Sequence, residues 1–216
     1  MARPKGNRES TLARREAILD AALEIFGTYG YNGSSLAQVA EIVGVTDAAI
    51  VHHFGSKREL MLSVLSRRDE MTSAHMRPDD SDGTSFVATW LDIAEYNSRH
   101  AGIVELFTVL AAESTAINHP AHEYFKNRYA NVSGQIAESF HKLAAKKLLA
   151  SKLGPESLAR SLTALSDGLQ VQWLLDRDVP MVEHHHEFYQ SVLTPKAWQL
   201  VCDKRQRLVW EDPKTL

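Results

Sequence analysis

The 216-residue chain is 44% hydrophobic and 24% charged, with 24 Lys and Arg against 27 Asp and Glu for a net charge of −3. That apolar share excludes an intrinsically disordered chain, and 11 Gly with 7 Pro exclude a collagen-like or low-complexity one. The lone cysteine, Cys202, can neither close an internal disulfide nor furnish a Cys-rich zinc site, so a cytoplasmic setting is expected.

The opening MARPKGNRES is basic and polar and lacks the apolar core of a secretory signal. No run reaches the roughly 18 uninterrupted apolar residues of a membrane helix. Even the best, over 103–112, contains Glu105, so no membrane partner is expected. Charge is unevenly placed: residues 1–15 hold five basic side chains (Arg3, Lys5, Arg8, Arg14, Arg15) against Glu9, which leaves an acidic body behind a basic arm. Such an arm is either a solvated tail or an anchor for nucleic-acid phosphates.

Prolines 4, 78, 120, 155, 180, 195 and 213 fall at breaks between long segments whose apolar residues recur every three or four positions, which predicts an all-α chain. A first helix runs from Ser10, with Leu12, Ile18, Leu19, Ala22, Leu23 and Phe26 on one stripe, and Gly27 and Gly30 end it. Ser35 and Gln38 form a capping-box pattern that opens a short second helix ending near Gly44. Thr46 caps a third helix over 47–53, and Ser56 with Glu59 opens a fourth running to about Met76. The polar, turn-rich stretch 77–83 reads as a boundary. Longer helices follow at about 84–99, 101–117, 119–150, 155–176 and 181–193.

Within 36–54, Ala40, Gly44 and Ile50 stand at offsets of 0, 4 and 10. A small residue lets two helices cross closely, glycine adopts the positive φ of a tight turn, and an apolar residue then plugs the angle between them. That is the spacing of a helix-turn-helix, whose second helix is free to enter a DNA major groove.

With the first-helix run Ile18-Leu19-Asp20-Ala21-Ala22-Leu23-Glu24-Ile25-Phe26, then Gly30-Tyr31, Ser34-Ser35-Leu36, Gly44-Val45-Thr46, His53-Phe54 and Ser56-Lys57-Arg58-Glu59-Leu60-Met61, the N-terminal third resembles the TetR family of bacterial transcriptional repressors. Farther on, Asp167-Gly168-Leu169-Gln170-Val171-Gln172-Trp173 is similar to the family's penultimate helix, and His119-Pro120-Ala121-His122-Glu123-Tyr124-Phe125 to one actinobacterial-type branch. The resemblance implies a basic arm and helix-turn-helix DNA-binding domain over 1–55, a connecting helix over 56–77, and a helical ligand-binding and dimerisation domain over 78–216. No cofactor and no metal are expected.

On that resemblance Ser35, Gln38, Thr46, Asp47, Ala48, Val51 and His52 lie near the groove-facing side, and Lys57 at a helix start meets a phosphate. Gln38 can pair with adenine, and Ala48 and Val51 can pack on thymine methyls. Asp47 either accepts from a cytosine amine or serves the helix dipole. Val51 stands where the family usually has a phosphate-contacting tyrosine, so either His52 donates in its place or Val51 touches a thymine methyl.

A homodimer is expected through the helices at about 155–176 and 181–193. Their stripes are Leu158, Leu162, Leu165, Leu169, Gln172 and Trp173 on one, and Met181, His185, Phe188, Val192 and Leu193 on the other. The alternative is that these stripes face their own core. Trp90, Ile93, Tyr96, Phe107, Leu110, Tyr124, Phe125, Tyr129 and Trp173 are the candidate lining of an apolar effector cavity, into which the resemblance places a small organic molecule that releases the operator.

Adjacent His184, His185 and His186 point about 100° apart on a helix and cannot converge on one ion. No G-x-S-x-G, H-E-x-x-H, G-x-G-x-x-G or phosphate loop is present, so catalysis is not expected. The competing function is a helical small-molecule-binding protein with a degenerate DNA-binding head. The segment after Pro195, with Trp198, Leu200 and Val201 before Arg207, Leu208, Val209 and Trp210, lies outside the family pattern and is open to reading as an extra helix on the dimer.

Overall fold

The computed structural model describes residues 5–76 and 80–205, with side chains from Thr11 onward within those ranges. The side chains of Lys5 and Arg8, all of Arg3, the 77–79 part of the expected boundary, and Arg207 to Trp210 lie outside the described residues. Ten helices form among the described residues: α1 (Lys5–Tyr29), α2 (Leu36–Val43), α3 (Asp47–Phe54), α4 (Lys57–Ala74), α5 (Thr84–Asn97), α6 (Ala101–Glu113), α7 (His122–Ala145), α8 (Pro155–Leu175), α9 (Met181–Val192) and α10 (Pro195–Lys204). The chain is all-α.

Two compact units result. The first takes the described residues up to Glu70 together with Glu105–His122. Its interior is set by the apolar stripe of α1, where Ile18, Leu19, Ala22, Ile25 and Phe26 are buried with Val39 and Ala40 of α2, Ile50 and Phe54 of α3, and Leu60, Met61, Val64 and Leu65 of α4. Arg67 of α4 adds ion pairs to Glu16 and Asp20 of α1 at 3.0 and 2.7 Å.

The second unit takes Met71–Val104 and the described residues from Glu123. Val87, Ala88 and Leu91 of α5, Ile136, Phe140 and Leu143 of α7, Leu158 and Leu162 of α8, Tyr189 and Val192 of α9, and Ala197 and Val201 of α10 share one core. A smaller cluster joins Val104, Leu169, Trp173 and Met181. Asp80 and Asp82 accept the backbone amides of Ser85, Phe86 and Thr84 and so cap α5.

Several boundaries differ from the sequence expectation. Gly27 lies buried inside α1 rather than ending it, and the left-handed residue that follows the helix is Gly30, at φ +68°. The expected helix over 119–150 begins at His122 and stops at Ala145. There Lys147 turns left-handed at φ 57° and Leu148 N–H bonds back to the Leu143 carbonyl at 2.8 Å. The segment after Pro195 does form a helix, capped by Thr194, but it packs into its own unit. Lys204 donates to Asp82 and Thr84, and Arg205 pairs with Asp92 and Glu95, so the basic end of α10 is spent on the acidic residues of the α5 region. No described helix is long and apolar enough to cross a membrane.

Candidate nucleic-acid interface

The helix-turn-helix is assembled by its caps. Ser35 accepts from the Gln38 N–H at 3.3 Å while Gln38 Oε1 accepts from the Ser35 N–H at 2.7 Å, so both arms of the capping box are present. Gly44, at φ 72° and ψ 38°, ends α2, with Val45 N–H bonding the Ala40 carbonyl at 3.0 Å. Thr46 accepts from the Ala49 N–H at 3.2 Å and starts α3. Ala40 and Ile50 are buried in the angle between the helices.

Ile50 and Phe54 anchor the inner side of α3, Ala48, Val51 and His52 are exposed away from it, and Asp47 is exposed at the first turn of the helix. Ser35 and Thr46 are exposed beside them at the two N-caps. Seven of the candidate residues therefore fall in one region of helix ends and outward α3 face, with Gln38 half-buried there. The Gln38 side-chain oxygen is committed to the cap; its amide nitrogen is the end that remains for a base edge.

Lys57 is placed differently from a freely extended phosphate contact. Its ammonium donates to the Ser34 carbonyl at 2.5 Å and sits 4.5 Å over the Tyr31 ring. Burial lowers its pKa, and the Glu113 carboxylate opposes that shift.

Two contributors were invisible in the sequence pattern. Arg15, read there only as part of a basic arm, donates to the His53 carbonyl at 3.1 Å and lies 4.2 Å over the Phe54 ring, which ties the end of α3 to α1. With exposed Arg14 it forms a cationic edge beside His52 and His53. The His53 pKa is lowered by burial and then by His52, Arg14 and Arg15. The second is Glu113, whose carboxylate accepts the Tyr31 N–H at 2.6 Å from 82 positions away.

The candidate effector residues are distributed over both units. Phe107, half-buried, and Leu110, buried, belong to the first unit. In the second, Tyr124, Phe125 and Tyr129 form a ladder on α7, with ring centroids 5.1 and 6.5 Å apart. Trp90 stacks on Phe86 beside the larger core, Ile93 is buried, and Tyr96 stacks on His100. Trp173 is buried in the smaller cluster, with Arg177 3.9 Å over its ring. Tyr129 also hydrogen-bonds Asp167, a partner that the sequence pattern did not suggest; burial and that carboxylate push the phenol up to about 12.

The three adjacent histidines diverge. His184 pairs with Glu187, His185 is buried between Ser166 and the Met181 carbonyl, and His186 accepts from Arg205. The stripes expected to meet a partner on α8 and α9 instead face their own core, where Leu158, Leu162, Leu169, Trp173, Met181, His185, Val192 and Leu193 are buried. The apolar residues left outside are Val171, 44% exposed, and Leu175, 84% exposed.

Residues 18–64 match the model of the bacterial regulatory proteins, tetR family. The HTH-type transcriptional repressor AcnR of Corynebacterium jeikeium is 35% identical over 77 residues, 36% of this chain and 40% of AcnR. The HTH-type transcriptional regulator RutR of Escherichia coli is 42% identical over 53 residues, 24% of this chain and 25% of RutR. The chain thus matches well under half the length of these curated relatives. In fold the likeness is longer: a TetR-family regulator from Agrobacterium tumefaciens superposes with a TM-score of 0.74 over 85% of this chain and 99% of its own, at 19% identity. The residues that carry the caps, turn and buried angle of the head are thus those of a TetR-family helix-turn-helix domain, and the helices that follow share the fold of a solved TetR-family regulator.

Proposed function

We propose that the chain is a homodimeric DNA-binding transcriptional regulator, a repressor released from its operator by a small organic effector. The observation that carries this reading is the two-sided character of α3: Ile50 and Phe54 are buried in the head, and Ala48, Val51 and His52 are presented outward, with Asp47 exposed at the first turn of the helix. A short helix held by one face with small, apolar and hydrogen-bonding groups on the other suits a major groove, where Ala48 and Val51 pack on thymine methyls and His52 donates to phosphate or base. The cationic edge of Arg14 and Arg15 adds attraction for the backbone.

Two heads are needed for a specific footprint, and the pairing surface proposed is the outer face of α8 with α9, where Val171 and Leu175 stand exposed. For the effector, the Tyr124–Phe125–Tyr129 ladder offers apolar area, with the Tyr129 hydroxyl oriented by Asp167. A cytoplasmic location accompanies this reading.

The test is a gel shift with the DNA upstream of the protein's own gene. Wild-type protein is expected to retard it, and Ala48→Glu, which adds a carboxylate to an exposed position, to weaken binding at least roughly tenfold with an unchanged melting temperature. Equal binding by the variant would remove α3 as the reading helix. Ligand binding without any retarded DNA would favour a small-molecule-binding protein with an inactive head.

A further inference from the structure

The turn from α1 to α2 is built around a carboxylate supplied from another part of the chain. Gly30 adopts φ +68°, and the Glu113 side chain, from the last residue of α6, stands in front of the amides that follow. Tyr31 N–H donates to Oε2 at 2.6 Å, and the Asn32 N–H and side-chain amide reach Oε1 at 3.4 and 3.5 Å. The approach depends on glycine, since a Cβ at Gly30 would lie 2.5 Å from Oε1.

The His119-Pro120-Ala121-His122 run, which the DNA-binding reading leaves without a role, closes the other side. His119 is buried, its ring meets Tyr31 edge-on at 5.3 Å, and its Nε2 lies 3.6 Å from Glu113 Oε2. Ala121 N–H donates to Nδ1 at 3.2 Å, which assigns the proton of the neutral ring to Nε2, facing the carboxylate. His122 Nδ1 and the Ser114 carbonyl, 2.8 Å apart, hold the run against the end of α6. Beyond the turn, the Lys57 ammonium over Tyr31 donates to the Ser34 carbonyl, one residue before the Ser35 cap.

We propose that Glu113, steadied by His119, is a positioning residue for DNA binding: it fixes the Gly30–Asn32 turn and, through it, the Ser35 cap and Lys57 at the edge of the groove-facing surface. The inference rests on the DNA-binding reading above. Bonds to an ionised acceptor are roughly twice as strong as neutral ones, and removing the acceptor leaves the Tyr31 and Asn32 amides to find water.

The test uses the full chain as wild type, Glu113→Gln and Glu113→Ala, with two readouts. Hydrogen exchange followed by NMR reports the turn without DNA: in Glu113→Ala, Tyr31 and Asn32 amides should exchange roughly tenfold faster while those of Ile50 and Leu65 are unchanged. Fluorescence anisotropy with a labelled genomic duplex selected by the wild-type protein reports binding. A roughly tenfold loss is expected for Glu113→Ala, the factor equivalent to about 1.4 kcal/mol, and a smaller loss for Glu113→Gln, which keeps an oxygen acceptor without the charge. Unaltered exchange at Tyr31 and Asn32, or wild-type affinity despite a loosened turn, overturns the proposal. So does exchange that rises equally across α3 in both variants, which marks a residue of the fold alone. A wild-type protein that selects no duplex overturns the DNA-binding reading and this role with it, and the exchange arm distinguishes that failure from a failure of the clamp.

Discussion

Two glycines of the head meet their backbone requirement under different surroundings. Gly30 and Gly44 both sit at positive φ, +68° and +72°, where an L side chain costs about 1–2 kcal/mol. Around Gly44 a Cβ would find open space, whereas at Gly30 it would strike the Glu113 carboxylate. Gly44→Ala is therefore expected to destabilise by about 1 kcal/mol and Gly30→Ala by about 2 kcal/mol or more. Urea denaturation checks the order, and a Gly44 variant as damaging as the Gly30 one would contradict it. The requirement at Gly44 was legible in the sequence because it is local: an Ala, a Gly and an Ile at fixed offsets describe one turn. Half of the requirement at Gly30 was not, because the group that excludes a side chain comes from 83 positions later and no short-range pattern names it.

Among the elements, those bounded by local chemistry were read most closely. Ser35 with Gln38, and Thr46, mark the starts of α2 and α3 because the cap and its amide lie within three residues of each other. The end of α7 was missed because Lys147, a residue with no special preference for it, takes the left-handed conformation there. The facing of α8 and α9 stayed open in the sequence for a different reason. A helical stripe shows that one side is buried without saying against what, and here it is the unit's own core.

That packing has a consequence for acid stability. His185 of α9 is buried, with its Nδ1 proton donated to the Met181 carbonyl at 2.7 Å and Nε2 accepting from the Ser166 hydroxyl of α8 at 2.9 Å. Burial lowers its pKa from the ordinary 6.5. The unfolded chain thus binds this proton more readily than the folded one, so the contribution is fully present above about pH 6.5 and is lost as pH falls below it. The melting temperature should drop between about pH 6.5 and 5, and the drop should be shallower in His185→Gln. His119 and His186, shifted in the same direction by burial, retain the remainder. Identical slopes would show that the α8–α9 imidazole does not titrate with unfolding.

At the scale of the whole molecule, the proposed function requires two heads acting together. Val171 and Leu175 are apolar and exposed on α8, so Val171→Glu and Leu175→Glu combined should leave the fold intact and shift sedimentation from dimer to monomer at micromolar concentration. A wild-type monomer would contradict the pairing, and an undisturbed double-variant dimer would move the interface elsewhere. The most direct measurement of the central claim is selection of genomic duplex fragments by purified wild-type protein at near-physiological salt. An enriched set sharing a twofold-symmetric sequence with half-sites about 34 Å apart is expected, and no enrichment by Val51→Glu. Recovery of fragments in proportion to their abundance, with no preference over random duplex, would contradict it.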